Sequence, residues 1–564
     1  MNLGRSTKEN QRPIHLAEAG HEAPPRHVVT LAFLAEQLPD SLISEQLARS
    51  LCAETEASVV LVRLESQDGT GMINDGAQPG LYLNGEFRLP PQVRKTDAGF
   101  YSLTLLCARS EPPTGSGMDS LLSQLSRHFR YVLIQTQVDE RPASWLFELL
   151  LRSNLAYLFL KAAPQDVYHL DLVMREARAR CRNGGVHVKP VGCLAKGEQI
   201  GGFDLLMERV AGPVHMFVRD CPRLDGAKET GFQTAAAGLF RADLRLLARE
   251  IGGCLVGLAL SSGAAKGFAH IGVIQVLEEN GIQVDVVAGS SMGAYVGALW
   301  EHGCDGRELE RLARELEPRW ALWTLVDPTF PPYRGFLRGF AVKKRLMQSI
   351  AHARFADLVR PLRVVAANLA TLERVVFSSG EVATAVHAST AVPGICVPIT
   401  IDGETYTDGG IVDPLPVDVL REMGVARVIA VNVIPTPERI RHGIQAELEL
   451  ARHNRMQERK FFGKAHPPER QANYFARGSM LEILLRSVQS GQIRMAEASC
   501  QQADLVLRPD IYDDRWLDYR HPGKFIALGR QAAERHLQEM QALVTRREVN
   551  HESKFAPEPV ATIV

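Results

Sequence analysis

Three short stretches of the chain hold residue types that could carry out nucleophilic chemistry together. The first is Gly289-Ser290-Ser291-Met292-Gly293. Val284, Val286, Val287 and Ala288 lead into it, and Ala294, Tyr295, Val296, Ala298, Leu299 and Trp300 follow at helical spacing. This reads as strand, sharp turn, helix, the setting in which a G-x-S-x-G turn lifts a serine oxygen above a sheet. Gly289 and Gly293 suit the bend because a side chain at either flank would crowd it. The second stretch is Ser261-Ser262-Gly263-Ala264-Ala265-Lys266-Gly267, whose small side chains leave backbone N–H groups uncovered. The third is Asp408-Gly409-Gly410, a carboxylate placed directly after the apolar-polar run Glu404–Thr407.

A serine hydroxyl needs a base to take its proton. The usual base is a histidine held by a carboxylate. After Ser291 the histidines are His302, His352, His387, His442, His453, His466, His521 and His536, and none lies in a small-residue loop after a strand. Asp408 is the acid that stands out, because Gly409 and Gly410 let the backbone approach closely. Partial burial would raise its pKa toward that of a useful base. The competing reading is a plain Asp-Gly-Gly turn, and a His-dependent esterase is a further alternative. An acyl-transfer site also needs donors for the developing oxyanion, and the amides of Gly263 and Ala264 can be presented by the 262–267 loop. The same loop could cradle a phosphate, but Lys266 is followed by Gly267 and Phe268, not by the Ser or Thr of a P-loop. Lys266 reads as a loop-positioning residue, a headgroup contact or a salt-bridge partner, and His270 as a packed histidine.

The elements that must position these residues follow from periodicity. Cys254–Leu260 reads as a strand, Phe268–Asn280 as a helix, and Val284–Ala288 as the next strand. Such a βαβ unit makes the two strands parallel neighbours with a right-handed crossover. Both loops then sit at the carboxyl ends of adjacent strands, where open α/β sheets place ligands. Further strands are expected at Arg363–Ala367, Arg374–Phe377, Val428–Val433 and Asp504–Leu507, and helices at Arg307–Glu317, His387–Gly394, Val417–Met423, Met480–Ala498 and Phe525–Val544.

The 564 residues exceed one domain. Residues 1–25 and 546–564 read as disordered tails. Residues 26–222 read as a smaller open-sheet α/β domain of unassigned role, with strands at Val28–Leu34, Ser58–Leu64, Tyr101–Leu106, Tyr131–Gln135 and Ala156–Leu160. Its helices are expected at Ser41–Cys52 and Gln165–Ala179. No phosphate-binding glycine motif follows a strand there, so nucleotide binding is not expected. Residues 223–252 read as a helical linker closed by Gly252-Gly253. The core spans 253–435, a flexible charged excursion 436–476, and the C-terminal part of the core 477–545. A net charge of −1 gives no global attraction to nucleic acid. Nine scattered cysteines without a C-x-x-C pair suit a reducing compartment and argue against a zinc site. The polar N-terminus shows no apolar signal region. The longest charge-free run, Val382–Ile401, carries Pro393 and Pro398 and is a poor membrane span. The expected location is cytoplasmic, with contact to the inner membrane face at the protein surface. Trp320, Trp323, Phe330, Tyr333, Phe336 and Phe340 precede or interleave with Arg334, Arg338, Lys343, Lys344, Arg345, Arg354 and Arg360. That mixture suits lipid headgroups, or else core aromatics beneath a solvated basic face. Nothing in the sequence fixes an oligomeric state.

Taken together, Ser262–Gly267, Gly289–Gly293 and Asp408–Gly410, in that order, resemble the patatin-like phospholipase family. So do Gly267-Phe268-Ala269-His270-Ile271-Gly272-Val273, Asp285–Gly289 and Ala388-Ser389-Thr390-Ala391-Val392-Pro393-Gly394. The flanks, Leu239–Ile251, Met480–Cys500 and Phe525–Val544, are similar to bacterial relatives of neuropathy target esterase. The resemblance implies a patatin-like three-layer α/β sandwich with a mainly parallel sheet. It implies a lysophospholipase or phospholipase acting on a lipid ester, with Ser291 as nucleophile and Asp408 as base. Gly263, Ala264 and Met292 are implied as the oxyanion hole, with no metal and no cofactor. Ser262, Ala265, Lys266, Gly267, Gly289, Ser290, Gly293, Gly409 and Gly410 fill the motif positions. The loop reads Ser262-Gly263-Ala264 where the family has three glycines, so a left-handed φ at Ala264 would carry the steric cost of its Cβ. The contrasting expectation is a catalytically weak, membrane-associated scaffold or regulatory protein on the same fold.

Overall fold

The computed structural model describes residues 27–34, 38–67, 93–108, 115–138, 144–161, 163–180, 188–198, 203–210, 214–222, 237–318, 320–436, 438–439, 441, 480–511 and 518–545. The expected tails, residues 223–236 of the linker, and nearly all of the charged excursion, with His442, His453 and His466, lie outside them.

The N-terminal strands are β1 (Val28–Phe33), β2 (Val59–Gln67), β3 (Arg94–Lys95), β4 (Tyr101–Ala108), β5 (Tyr131–Gln137), β6 (Leu155–Lys161), β7 (Val188–Ala195) and β8 (Met216–Cys221). They form one sheet in the order β3-β4-β2-β5-β1-β6-β7-β8, parallel except where β3 meets β4. The central runs are apolar at consecutive positions because both faces are covered. Leu31, Phe33, Tyr157 and Phe159 enter one core, and Ala32, Ala156, Leu158 and Leu160 enter the opposite one. The helix Ala237–Ile251, expected as linker, is part of this unit. Its Phe240, Leu244, Leu247 and Ala248 complete the first of those cores, and Gly253 ends it with a φ of 63°.

The second sheet contains β9 (Val256–Leu260), β10 (Val286–Ser290), β11 (Leu362–Asn368), β12 (Arg374–Phe377), β13 (Ile399–Ile401), β14 (Glu404–Asp408), β15 (Arg427–Val431) and β16 (Leu505–Leu507). Its order is β13-β14-β11-β10-β9-β15-β16, with β12 also on β11. β10, β9, β15 and β16 are parallel, and β10 is parallel to β11; β12, β13 and β14 add antiparallel pairs. Alternate residues again supply two cores. Leu258, Leu260, Val287 and Val364 face the layer that holds helices Ala269–Glu279, Met292–Glu301 and Pro522–Arg535. Ala259, Val286, Ala288 and Val365 face the layer of helices Val417–Glu422 and Met480–Gln502. The result is a three-layer α/β sandwich.

One edge of β11 decides where the site forms. β12 pairs with residues 364–367 of β11, β10 with 362–365 and β14 with 366–368. Since β12 takes one edge throughout, β10 and β14 must share the other. They meet end to end, with Ser290 opposite Val365 and Asp408 opposite Ala366. Two strands separated by more than a hundred residues thereby deliver their last residues to one point.

The C-terminal segment is locked on by backbone contact between helices. A Cβ on Gly272 would lie 2.0 Å from the Ile526 carbonyl oxygen, and one on Gly529 would lie 1.9 Å from that of Ala269. The closing helix expected over Phe525–Val544 is in fact two, Pro522–Arg535 and Leu537–Thr545, broken at His536 where φ is −107° and ψ 16°. The helix expected at His387–Gly394 runs instead over Val382–Ser389, because Pro393 and the turn before it bar helical hydrogen bonding downstream. Arg249 joins the two sheets, binding Asp285 at 2.9 Å and Glu54 at 2.7 Å. Arg219 donates across the same boundary to the Leu358 carbonyl at 2.6 Å.

Candidate active site

Ser291 stands between β10 and helix Met292–Glu301 with φ 53° and ψ −119°. A non-glycine residue in that region costs on the order of 1–3 kcal/mol and is held only by its surroundings. Those surroundings are backbone. A Cβ on Gly289 would lie 2.6 Å from the Ala294 nitrogen, and one on Gly293 would lie 2.2 Å from the Leu260 carbonyl oxygen. The Ser291 N–H donates to Ser389 Oγ at 2.8 Å, which fixes the bend from the adjoining helix.

The Ser291 hydroxyl donates to Asp408 Oδ2 at 2.6 Å. The other carboxylate oxygen, Oδ1, accepts the Gly410 N–H at 2.7 Å. Asp408 is 3% exposed and Ser291 7%. Burial pushes the Asp408 pKa up to about 6, against the lowering effect of the Ser291 and Gly410 hydrogen bonds. The two glycines after it are tight fits. A Cβ on Gly409 would lie 2.2 Å from the Val365 carbonyl oxygen, and one on Gly410 would lie 2.9 Å from Ser262 Oγ and 2.8 Å from Gln492 Nε2.

The small-residue loop lies beside the elbow because Leu260 and Gly289 are paired neighbours in the sheet. Ala264–Phe268 forms a 3-10 turn that feeds helix Ala269–Glu279. Gly267 abuts Met292, whose Cγ would be 2.4 Å from an added Cβ, and Gly263 abuts Val433 in the same way. Ala264 does adopt a left-handed φ, 48°. That costs alanine roughly 1–2 kcal/mol but is open to it. Ser262 donates its N–H to the Pro414 carbonyl at 2.8 Å, and Ser261 Oγ accepts the Val433 N–H at 3.0 Å, so the loop is tied at its root. Ala265 and Lys266 are buried. Ser290, also buried, has its Oγ without a hydrogen-bond partner among the described residues.

His270 is fully buried and hydrogen-bonds through Nε2 to the Ser261 carbonyl at 2.9 Å. Burial pushes its pKa down to about 4, so it is a neutral packing residue that steadies the loop. His387, likewise buried, turns Nε2 to the Arg338 carbonyl at 3.3 Å. Among the described residues no group of three or more His, Cys, Asp or Glu is arranged to hold a metal ion.

Ser389 and Tyr519 are site residues that sequence reasoning did not assign. Ser389 lies in a stretch singled out for its resemblance, but a serine at a helix end has no signature of its own. Tyr519 packs edge-on against Phe268 at 5.9 Å. Its phenol pKa is pushed up, first by burial and then by Cys396 and Asp408.

Residues 258–421 match the family described as patatin-like phospholipase. Lysophospholipase NTE1 of Pyricularia oryzae is 32% identical over 196 residues, which is 34% of this chain and 13% of that protein. An uncharacterized NTE family protein of Mycobacterium tuberculosis is 38% identical over 178 residues, 32% of this chain and 49% of that protein. The chain thus spans less than half the length of these curated relatives. Among solved structures, the type III effector protein ExoU aligns with a TM-score of 0.25 and 17% identity, covering 51% of this chain and 53% of that one. The matched residues and these relatives together support a patatin-like phospholipase domain of the NTE-type branch within this chain.

Proposed function

We propose that the chain hydrolyses carboxylic esters of lipids, of the lysophospholipid or phospholipid class, by a Ser–Asp dyad and an acyl-enzyme. The observation that carries the reading is the 2.6 Å hydrogen bond from the strained Ser291 to a buried carboxylate with its pKa at about 6. Ser291 Oγ attacks the acyl carbonyl carbon while its proton passes to Asp408 Oδ2. The oxyanion is met by the N–H groups of Gly263, Ala264 and Met292, each donor contributing roughly 3–4 kcal/mol. The Ser291 N–H is not among them, because Ser389 occupies it. The ester C–O bond then breaks, and Asp408 returns its proton to the departing alcohol oxygen. Water attacks the acyl-serine, gives its proton to Asp408, and the fatty acid leaves as Ser291 is restored. A base with a pKa near the working pH holds its proton and releases it with similar ease, which suits both halves of this cycle.

The names of the relatives support the substrate class, since the fungal proteins are lysophospholipases. The test is the release of fatty acid from lysophosphatidylcholine by the pure protein and by its Ser291→Ala form, with a fluorophosphonate probe as a second readout. Turnover and labelling that disappear together on substitution support the dyad. Undiminished turnover in Ser291→Ala removes Ser291 from the mechanism, and a wild-type chain that neither turns over nor labels is a scaffold.

A further inference from the structure

The basic and aromatic residues of 320–360 divide sharply into used and unused groups. Lys343 pairs with Glu381, Arg345 with Glu315, Arg354 with Asp204 and Arg360 with Glu301, so these four serve the fold. Arg334, Arg338 and Lys344 are exposed and have no acidic partner among the described residues. The aromatics around them are not core. Trp320, Trp323, Phe330 and Tyr333 are 69%, 76%, 97% and 90% exposed, and Phe340 stands out with them. Scattered exposed apolar residues are ordinary, but a cluster of this size marks an interaction surface.

The cluster is held rigidly next to the candidate site. The Asp327 carboxylate accepts the N–H groups of Arg338, Gly339 and Ala341 at 3.1, 2.9 and 2.9 Å. Phe336 and Leu337 donate to the Ile395 carbonyl, and Val397 donates to that of Leu337. The same 391–397 segment accepts the Asp408 N–H through Ala391. Two more exposed apolar groups flank the site at the carboxyl ends of the strands. Leu369 and Leu372 cap β11 (Leu362–Asn368), and Leu369 lies four residues, about 13 Å, past the Val365–Ser290 pair. Ile483 and Leu484 lie on helix Met480–Gln502, which passes Gly410 at Gln492 and is followed by Asp504, whose carboxylate accepts the Val428 N–H at the start of β15. The helix therefore runs against the strands, and its Ile483 projects roughly 13 Å beyond Gly410.

We propose that these three groups form one face that seats on a lipid bilayer carrying anionic headgroups, with the Ser291 opening turned toward the membrane. The aromatics and leucines enter the headgroup layer, and Arg334, Arg338 and Lys344 pair with lipid phosphates. The orientation rests on the lipid-ester reading of the site; the binding itself does not. No helix among the described residues is long and apolar enough to cross a membrane, so attachment through this face is peripheral.

The full chain is sedimented with vesicles of phosphatidylcholine alone and of phosphatidylcholine mixed with phosphatidylglycerol, and the fluorescence of Trp320 and Trp323 is followed. Preferred binding to the anionic vesicles with a blue shift is expected. Arg334→Glu/Arg338→Glu/Lys344→Glu should weaken that binding about a hundredfold or more, at roughly a tenth to a fifth of the affinity per charge. Trp323→Ser/Phe330→Ser/Tyr333→Ser should weaken binding to both vesicle types, while circular dichroism and turnover of a water-soluble ester stay at wild-type levels. Wild-type binding by either variant, or no binding by the unaltered chain, overturns the proposal. So does a dimer in lipid-free solution that the aromatic variant abolishes, which would assign the face to a second copy. Ser291→Ala must still bind; a chain that binds vesicles but hydrolyses nothing keeps this proposal and defeats the catalytic one.

Discussion

Asp408 and Glu250 are both buried carboxylates, and their surroundings drive them in opposite directions. Burial pushes each toward the neutral form. At Glu250 that pressure is overcome. His215, with Nε2 at 2.8 Å, and Lys189, in an ion pair with the carboxylate, hold its pKa down to about 2, and the Tyr157 hydroxyl also donates to it at 2.9 Å. Burial lowers the His215 pKa, and Lys189 places a full positive charge against Glu250. At Asp408 only a hydroxyl and one backbone N–H answer among the described residues, and the pKa stays at about 6. The first environment makes a fixed anion. Lys189 also donates to the Met423 carbonyl and Arg363 to that of His215, so this anion anchors the N-terminal sheet to the second one. The second environment leaves a carboxylate that can gain and lose a proton. What separates a structural acid from a candidate base is whether a full charge has been placed against it.

Exchanging each carboxylate for its amide is the sharpest way to break this comparison. Asp408→Asn should lower kcat by roughly 10⁴-fold, comparable to Ser291→Ala within an order of magnitude. It should also raise the chemical-denaturation midpoint at pH 7, because a buried charge is removed. Glu250→Gln should do the reverse. It leaves the Lys189 charge uncompensated and should cost about 3–5 kcal/mol in urea unfolding, with turnover per folded molecule changed only a few-fold. An Asp408→Asn protein less stable than wild type at pH 7 would contradict the account.

Titration sharpens the same contrast. The folded pKa of Asp408 lies above its ordinary 3.8, so its contribution to stability is full below about pH 4 and is lost as pH rises through about 6. The folded pKa of Glu250 lies below its ordinary 4.5, so its contribution is present above about pH 4.5 and is lost as pH falls toward 2. Each is on the order of 3 kcal/mol, and urea midpoints of the two amide variants against pH should resolve them. The kcat/KM of the wild type should fall tenfold per pH unit below about 6, as the base is protonated. A smaller effect is expected at Ser389→Ala, which leaves the Ser291 N–H without its acceptor and should lower kcat about tenfold. Smallest of all, Ala264→Gly removes the left-handed alanine and should raise stability by less than about 1 kcal/mol in the same assay.

The sequence carried the candidate site well because its signals are local. Gly289, Gly293, Gly409 and Gly410 announce close backbone approach whatever the rest of the chain does, and the βαβ pattern brings the 261–267 loop to the elbow. Signals that depend on distant partners were harder to read. Lys343 and Arg345 look like part of one basic face until Glu381 and Glu315 arrive from elsewhere in the chain. The exposure of Phe330 and Tyr333 is equally silent, since an aromatic in a proline-rich stretch reads the same inside or out. Within the first sheet, β7 and β8 escaped notice because Pro190 and Gly192 interrupt one apolar run and Arg219 and Asp220 interrupt the other. Arg219 is polar at that position because it binds Asp243 and reaches across to Leu358.

The end-to-end meeting of β10 and β14 on β11 also has a consequence in time. A chain emerging from synthesis presents Ser291 long before residue 408 exists. In that interval the serine has neither its acceptor nor the strand end that shapes its surroundings, and it is an ordinary alcohol. With the proposed dyad, hydrolytic power arises only after the full length of β14 has been made and paired. For a protein proposed to attack lipids, this makes completion of the sheet a safeguard against premature chemistry.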